Sequence, residues 1–241
     1  MAGHSAWKNI KHRKAAVDAK RGRLWSKASR AIIVAARHGG TDVRFNASLR
    51  LAIDDAKAVN MPRDTIEKAV KKGAGGEGGE DYQAIRYEGY APGGVAIIVE
   101  VLTSNINRTA PEIRTIFDKN GGNLGVPGSV AFSFVHAGII LLDRASASED
   151  RLMEVAIDAG ADDVIGEADV WQVTVPSASL TQVRDALEGA GLPVSEAQVM
   201  WVPTNQVDVD SVGAAQVAKL VDALEENDDV QKVYTNANEP E

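Results

Sequence analysis

Cysteine is absent from this 241-residue chain. That excludes disulfides, thiolate nucleophiles and Cys-ligated zinc, and makes a cytoplasm without special redox demands the simplest address. Histidine is scarce: His4, His12, His38 and His136 offer no H-x-x-x-H spacing that would put two ligands on one helix face. No G-x-S-x-G elbow occurs. No apolar run reaches the roughly 18 residues of a membrane span, and no apolar h-region of a secretory signal follows the start. One G-x-G-x-x-G match, at Gly73, Gly75 and Gly78, follows a helical pattern and opens a strand, the reverse of a dinucleotide loop, and no Lys-Ser/Thr of a P-loop comes after it. The acid pairs Asp54-Asp55, Asp162-Asp163, Glu225-Glu226 and Asp228-Asp229 are adjacent in sequence, the arrangement of solvated surface, whereas catalytic pairs are more often brought together by folding. The expectation is a non-enzymatic protein with no cofactor, no metal, no membrane contact and no small-molecule substrate.

What is present is a division of charge. The whole chain carries −8. Residues 1–72 hold 17 Lys and Arg against 6 Asp and Glu, net +11, and residues 73–241 hold 9 against 28, net −19. Within Gly3–Lys27, eight cations (Lys8, Lys11, Arg13, Lys14, Lys20, Arg21, Arg23, Lys27) face one acid, Asp18. Such asymmetry suggests a polyanion-binding part joined to an acidic body. The alternatives are that the two parts attract each other within the molecule, or that the acidic body is itself a protein-interaction module. As a helix, the basic stretch carries charge all round, with too small an apolar face to enter lipid. That suits a nucleic-acid groove or folded RNA, with affinity falling steeply as salt rises. His12 adds to the charge, and Trp7 is placed to stack on an unpaired base, whereas Trp25, beside Leu24, is expected to pack. No base-reading helix is legible, so little sequence-specific readout is expected.

Periodicity organises the rest. An apolar stripe through Leu24, Ala28, Ala31, Ile32 and Ala35 stops at Gly39-Gly40. A second helix is expected from about Val43 to Asn60, with Leu49, Ala52, Ile53 and Ala56 on one face. A third begins with Pro62 in its first turn and stops at Gly73 as the residue beyond its end. Residues 76–81 read as a glycine-rich flexible hinge. Strands then flank the turn Ala91–Gly94, and a helix follows with Ile113, Ile116 and Phe117 inward. From about Ala131 to Val202 the order is β-α-β-β-α-β, with His136 as a core or edge residue. A last helix (Val217, Leu220, Val221 and Leu224 inward) and strand cannot bury their apolar faces alone. Neither can the β-β-α before Ala131, so the two are expected to join around an insertion.

The expected fold class is therefore α+β multidomain: an N-terminal helical bundle plus two α/β domains, a ferredoxin-like unit inserted in a β-β-α…α-β domain. The expected boundaries are a basic arm at 1–22, the bundle at 23–75, the hinge at 76–81, the discontinuous domain at 82–130 plus 204–241, and the insertion at 131–203. A further candidate contact lies in the "TSNINRTAPE" stretch. There Asn105 or Asn107 suits a helix cap, while Asn107 and Arg108 are also placed to meet phosphate; Arg108, a rare cation in the acidic half, could equally meet an acid. The loop Gly121–Ser129 is read as packing rather than binding.

The stretches "MAGHSAWKNIKHRKAAVDAKRGRLWSK", "NMPRDTIEKAVKKG", "YEGYAPGGVAIIVEVLTSNINRTAPEIR" and "GGNLGVPGSVAFSF" closely resemble the YebC/PmpR family, a relative of the mitochondrial translational activator of cytochrome c oxidase. The resemblance covers essentially the whole chain. It implies a helical N-terminal domain and two α/β domains, one inserted in the other. It also implies regulation of gene expression, either as a DNA-binding transcriptional regulator or as a ribosome-associated translation factor that relieves stalling, including at consecutive prolines. The expected partners are ribosomal RNA or DNA and the ribosome. A start directly at the motif looks bacterial and cytosolic.

Overall fold

The bundle begins with α1 (Arg21–Gly39) and α2 (Ala47–Ala58), joined by a turn that one side chain organises. Asn46 is buried. Its Oδ1 accepts from the Leu49 N–H at 2.9 Å, capping α2, while its Nδ2 donates to the carbonyls of Ala35 and Gly40 at 2.8 and 2.7 Å. One residue thereby starts one helix and ties down the end of another. The second helix starts later than its periodicity suggests, because Asp42–Phe45 form a turn instead, with the Phe45 N–H donating to Asp42 O at 3.1 Å. α3 (Arg63–Gly73) follows, with Pro62 in the cap position rather than the first turn. Gly73 is the last helical residue, not the residue beyond it. A Cβ there would lie 2.6 Å from both Ala36 Cβ and Ile33 O, so glycine lets α3 close on α1. The left-handed backbone comes at Gly75, φ +97°. Ile32, Ile33, Ala36, Leu49, Ala52, Ala56, Met61, Ile66 and Ala69 form the bundle core.

This computed structural model describes residues 21–75, 81–167 and 169–238. They fall into two compact units. In the first, the bundle is joined by a four-stranded antiparallel sheet. Strands β1 (Gln83–Tyr90) and β2 (Ala96–Thr103) pair in register from Gln83↔Thr103 to Tyr90↔Ala96, around a turn in which Gly93 has φ +81°. Helix α4 (Ile106–Lys119) leads to the short β3 (Asn123–Leu124).

After the second unit the chain returns through β8 (Val207–Asp208), α7 (Ser211–Glu225), β9 (Val230–Thr235) and β10 (Ala237–Asn238). The sheet order is β3-β1-β2-β9, so the last main strand pairs with one formed over a hundred residues earlier. Alternate β2 residues Ile97, Val99 and Val101 meet Ile113 and Phe117 of α4 and Val217, Leu220 and Leu224 of α7. The two halves therefore share one core, as expected from the faces that neither could bury alone.

The second unit, residues 132–206, is considered by itself. Its elements are β4 (Phe134–Asp143), α5 (Glu149–Asp158), β5 (Asp163–Gly166), β6 (Val170–Pro176), α6 (Leu180–Gly189) and β7 (Val194–Pro203). The order β5-β6-β4-β7, antiparallel throughout, is the ferredoxin-like split arrangement. Gly138 lets α6 approach the central strand, since a Cβ there would sit 3.0 Å from Leu180 Cδ1. His136 is neither core nor edge. It lies exposed on the central strand β4, its ring 4.7 Å from that of its cross-strand partner Trp201.

Candidate nucleic-acid interface

The residues singled out from the sequence separate into three groups. Trp7, Lys8, Lys11, His12, Arg13, Lys14 and Lys20 lie outside the described residues. Arg21, Arg23 and Lys27 fall in the first two turns of α1. Asn107 and Arg108 fall in the first turn of α4, both exposed. There Asn105 is the cap, accepting from the Arg108 N–H at 3.2 Å. The Trp25 indole N–H donates to Val59 O at 3.1 Å, which makes it a bundle residue.

Arg23, Lys27 and Arg30 stand at i, i+4 and i+7, within roughly 60° of arc at 3.6 residues per turn. Buried Ile32 and Ala36 lie on the opposite face. The cationic face meets the end of α7 and the turn after it, where Glu225, Glu226, Asp228 and Asp229 surround Asn227. Lys27 Nζ donates to Glu225 O at 2.7 Å, a cation on the carbonyls that a helix end leaves unpaired. Arg23 Nε lies 3.7 Å from Asp228. Arg30 donates to Asp228 O and lies 3.2 Å from the Asp229 carboxylate.

Asp229 is the centre of this contact. Its side chain is 5% exposed, against 68% for Asp228. It accepts from the hydroxyls of Thr109 at 2.7 Å and Thr103 at 3.1 Å, and from the Arg108 guanidinium at 2.6 Å. Burial pushes its carboxyl up; the hydrogen bonds from Thr109, Arg108 and Thr103 and the charge of Arg108 outweigh that and hold it below the usual aspartate range. Arg108 thus meets an acid, one of the two roles open to it. Asp229 departs from the reading of the acid pairs as solvated surface.

A second buried acid shapes the loop before the insertion. Glu88 Oε2 accepts from the N–H groups of Val130 and Ala131, each at 2.9 Å. Gly125, where a Cβ would lie 2.3 Å from Ser129 Oγ, packs as expected, while Val126 at the same tip is exposed. On the bundle, Phe45 is 85% exposed with the Arg44 guanidinium 5.6 Å above its ring.

Arg30 and Asp229 are the residues that sequence reasoning missed. The signal for Arg30 was available as a third cation at helical spacing after Arg23 and Lys27. Asp229 has no such signal, because its burial depends on threonines more than a hundred residues away. Among the described residues no cluster of His, Asp and Glu is arranged to hold a metal, and no helix is long and apolar enough to cross a membrane.

Comparison with known proteins places this arrangement. The family model described as TACO1/YebC protein N-terminal domain matches residues 5–76, and that described as TACO1/YebC second and third domain matches residues 82–237. A protein of Rubrobacter xylanophilus named "Probable transcriptional regulatory protein" is 52% identical over 98% of this chain and 95% of its own length. A Cupriavidus necator protein of the same description is 51% identical over 98% of each chain. The crystal structure of a conserved hypothetical protein from Aquifex aeolicus superposes with a TM-score of 0.85 at 47% identity, covering 98% of both chains. A bundle, a discontinuous sheet and a ferredoxin-like insertion, matched along nearly the full length, place the chain in the TACO1/YebC family of regulatory proteins.

Proposed function

We propose that this chain is a non-enzymatic, cytoplasmic nucleic-acid-binding regulator that acts in translation, through ribosomal RNA contact that relieves stalling. The observation that carries the reading is the charge division, +11 in residues 1–72 against −19 in the remainder. A segment charged all round, with no groove-reading helix in its sequence, suits phosphate and shape recognition in folded RNA. Phosphate contacts by Lys8, Lys11, Arg13, Lys14 and Lys20 would release counterions, so binding should weaken steeply with salt. Trp7 and the exposed Phe45 supply faces on which unpaired bases can stack. Asn107 and Arg108 form a second, smaller contact.

Ribosome association at two salt concentrations, for the full chain and for one lacking residues 1–22, tests the reading. Association that is lost with the segment and with salt is the expected result. Survival at physiological salt without the segment would make the acidic body the anchor instead. A second reading, DNA-binding transcriptional regulation, is favoured by the name that the relatives carry. Ribosome profiling of a deletion strain with promoter binding measured in parallel separates the two. Unchanged ribosome occupancy with discrete promoter footprints would favour transcription.

A further inference from the structure

Three cations of α1 are engaged by carboxylates and carbonyls of their own chain. Arg23, Lys27 and Arg30 contact the segment Glu225–Asp229, whose four acids sit at the negative end of α7. The segment is held in place from the other side. Asn227 Nδ2 donates to Glu112 at 3.0 Å, Asn227 Oδ1 accepts from the Asp229 N–H at 3.0 Å, and Asp229 is anchored by Thr103, Thr109 and Arg108. Between the two sides lies a cleft of about 390 Å³ bordered by Arg23, Arg30, Arg108, Glu226, Asp228 and Asp229. One donor is left over: Arg23 Nη1 is buried with no hydrogen-bond partner among the described residues. A buried guanidinium nitrogen without an acceptor is costly, and a phosphate oxygen, like a carboxylate oxygen, is an acceptor it matches.

From this we infer that the Arg23–Lys27–Arg30 face is a phosphodiester-binding site, and that the acidic turn Glu225–Asp229 is its internal competitor. The inference rests on the nucleic-acid reading above and assigns its regulation. The turn presents to the cations what a nucleic-acid backbone presents: closely spaced anionic oxygens on a fixed frame. Exchanging one for the other replaces contacts like for like, so the exchange is close to balanced and local charge tips it. A weak or isolated polyanion leaves the turn in place. A polyanion already held by the basic segment reaches the α1 face at high effective concentration and separates α1 from the anchored turn and the end of α7. The turn thereby raises the threshold for docking and selects dense phosphate arrays.

The test is a distance measurement joined to a binding measurement. The chain has no cysteine, so Ser26→Cys on α1 and Gln216→Cys on α7, both exposed positions, take spin labels uniquely. An RNA hairpin and a DNA duplex of matched phosphate count serve as probes and distinguish the two backbones. Saturating probe should lengthen the label separation. Asp228→Asn, which removes the exposed partner of Arg23, should tighten binding roughly two- to fivefold, the size of an exposed ion pair. It should also steepen the salt dependence on the DNA duplex by about 0.9 for each added phosphate contact. Asp158→Asn, the same charge change in the inserted unit, should change affinity by less. An unchanged separation at saturation, with Asp228→Asn binding no better than Asp158→Asn, overturns the competitor while leaving nucleic-acid binding intact. Failure of either probe to bind any of these chains at low salt overturns both.

Discussion

Replacing Asp229 with alanine should destabilise the bundle-bearing unit by about 3 kcal/mol. Breaking a buried ion pair from one side costs about 3–5 kcal/mol, because the remaining charge is stranded. The geometry indicates the low end of that range. Arg108 is 49% exposed and can rehydrate. The Thr103 and Thr109 hydroxyls lie 2.8 Å apart, so one can turn its proton onto the other once the carboxylate is gone. The stranded charge is Arg30, 18% exposed, left with the Asp228 carbonyl. Asp229→Asn keeps an acceptor for the threonines and should cost about 1–2 kcal/mol.

The assay is hydrogen exchange at the Leu102 amide, which donates to Asp229 O at 2.9 Å. Where exchange follows local unfolding, 3 kcal/mol corresponds to roughly a hundredfold faster exchange at 1.4 kcal/mol per factor of ten. Amides of β4, in the other unit, should be unaffected. The carboxyl's folded value is depressed. Its contribution is therefore complete above the unfolded value of about 3.9 and is lost as pH falls through the lower folded value. The gap between wild type and Asp229→Asn should close in that acidic window. Equal Leu102 protection in Asp229→Ala and wild type at pH 7, or equal acceleration in β4, would refute the reasoning.

Glu88→Gln should lower stability by about 1–2 kcal/mol at pH 7, because Oε2 of its carboxylate alone accepts two backbone N–H bonds. Burial raises that carboxyl, but the N–H groups of Val130, Gly128 and Ala131 and the charge of Arg86 hold it below the usual glutamate range. Thermal melts of the two chains should therefore converge as pH falls below about 4.3 towards the depressed value. Gly73→Val places its Cβ against the Ile33 carbonyl and should cost about 1–3 kcal/mol or more, measured by urea unfolding followed at the helical circular-dichroism band.

The architecture was legible because its faces are incomplete in pieces. The Val217–Leu220–Leu224 stripe and the β2 run each demand a partner, and each is the other's. Local chemistry was less legible where one residue serves two elements. Asn46 falls inside the helix that periodicity starts near Val43, yet its two bonds back to Ala35 and Gly40 set where both helices end and begin. Gly73 looks like a stop and is a contact surface. In each case the deciding neighbour comes from another helix, and periodicity carries no information about crossings. The candidate site divides the same way. Cationic spacing on α1 is a sequence property, but its engagement by Asp228 and Asp229 arises only when β9 pairs with β2.

That pairing also changes how the −19 of the acidic half should be weighed. Net charge repels a polyanion at long range, but at physiological salt the field of an exposed carboxylate decays over about 8 Å. The helix acids of the inserted unit, such as Glu149, Asp150 and Asp158, are solvated and contribute mainly to that screened field. Glu225–Asp229 differs in kind: it touches Arg23, Lys27 and Arg30, where ions screen little. The acids that govern phosphate access are thus those in contact with α1, not the majority that set the overall charge. Neutralising several remote acids should shift binding less than neutralising Asp228 alone, measured at physiological salt. The opposite ranking would mean that the global field, and not the turn, controls docking.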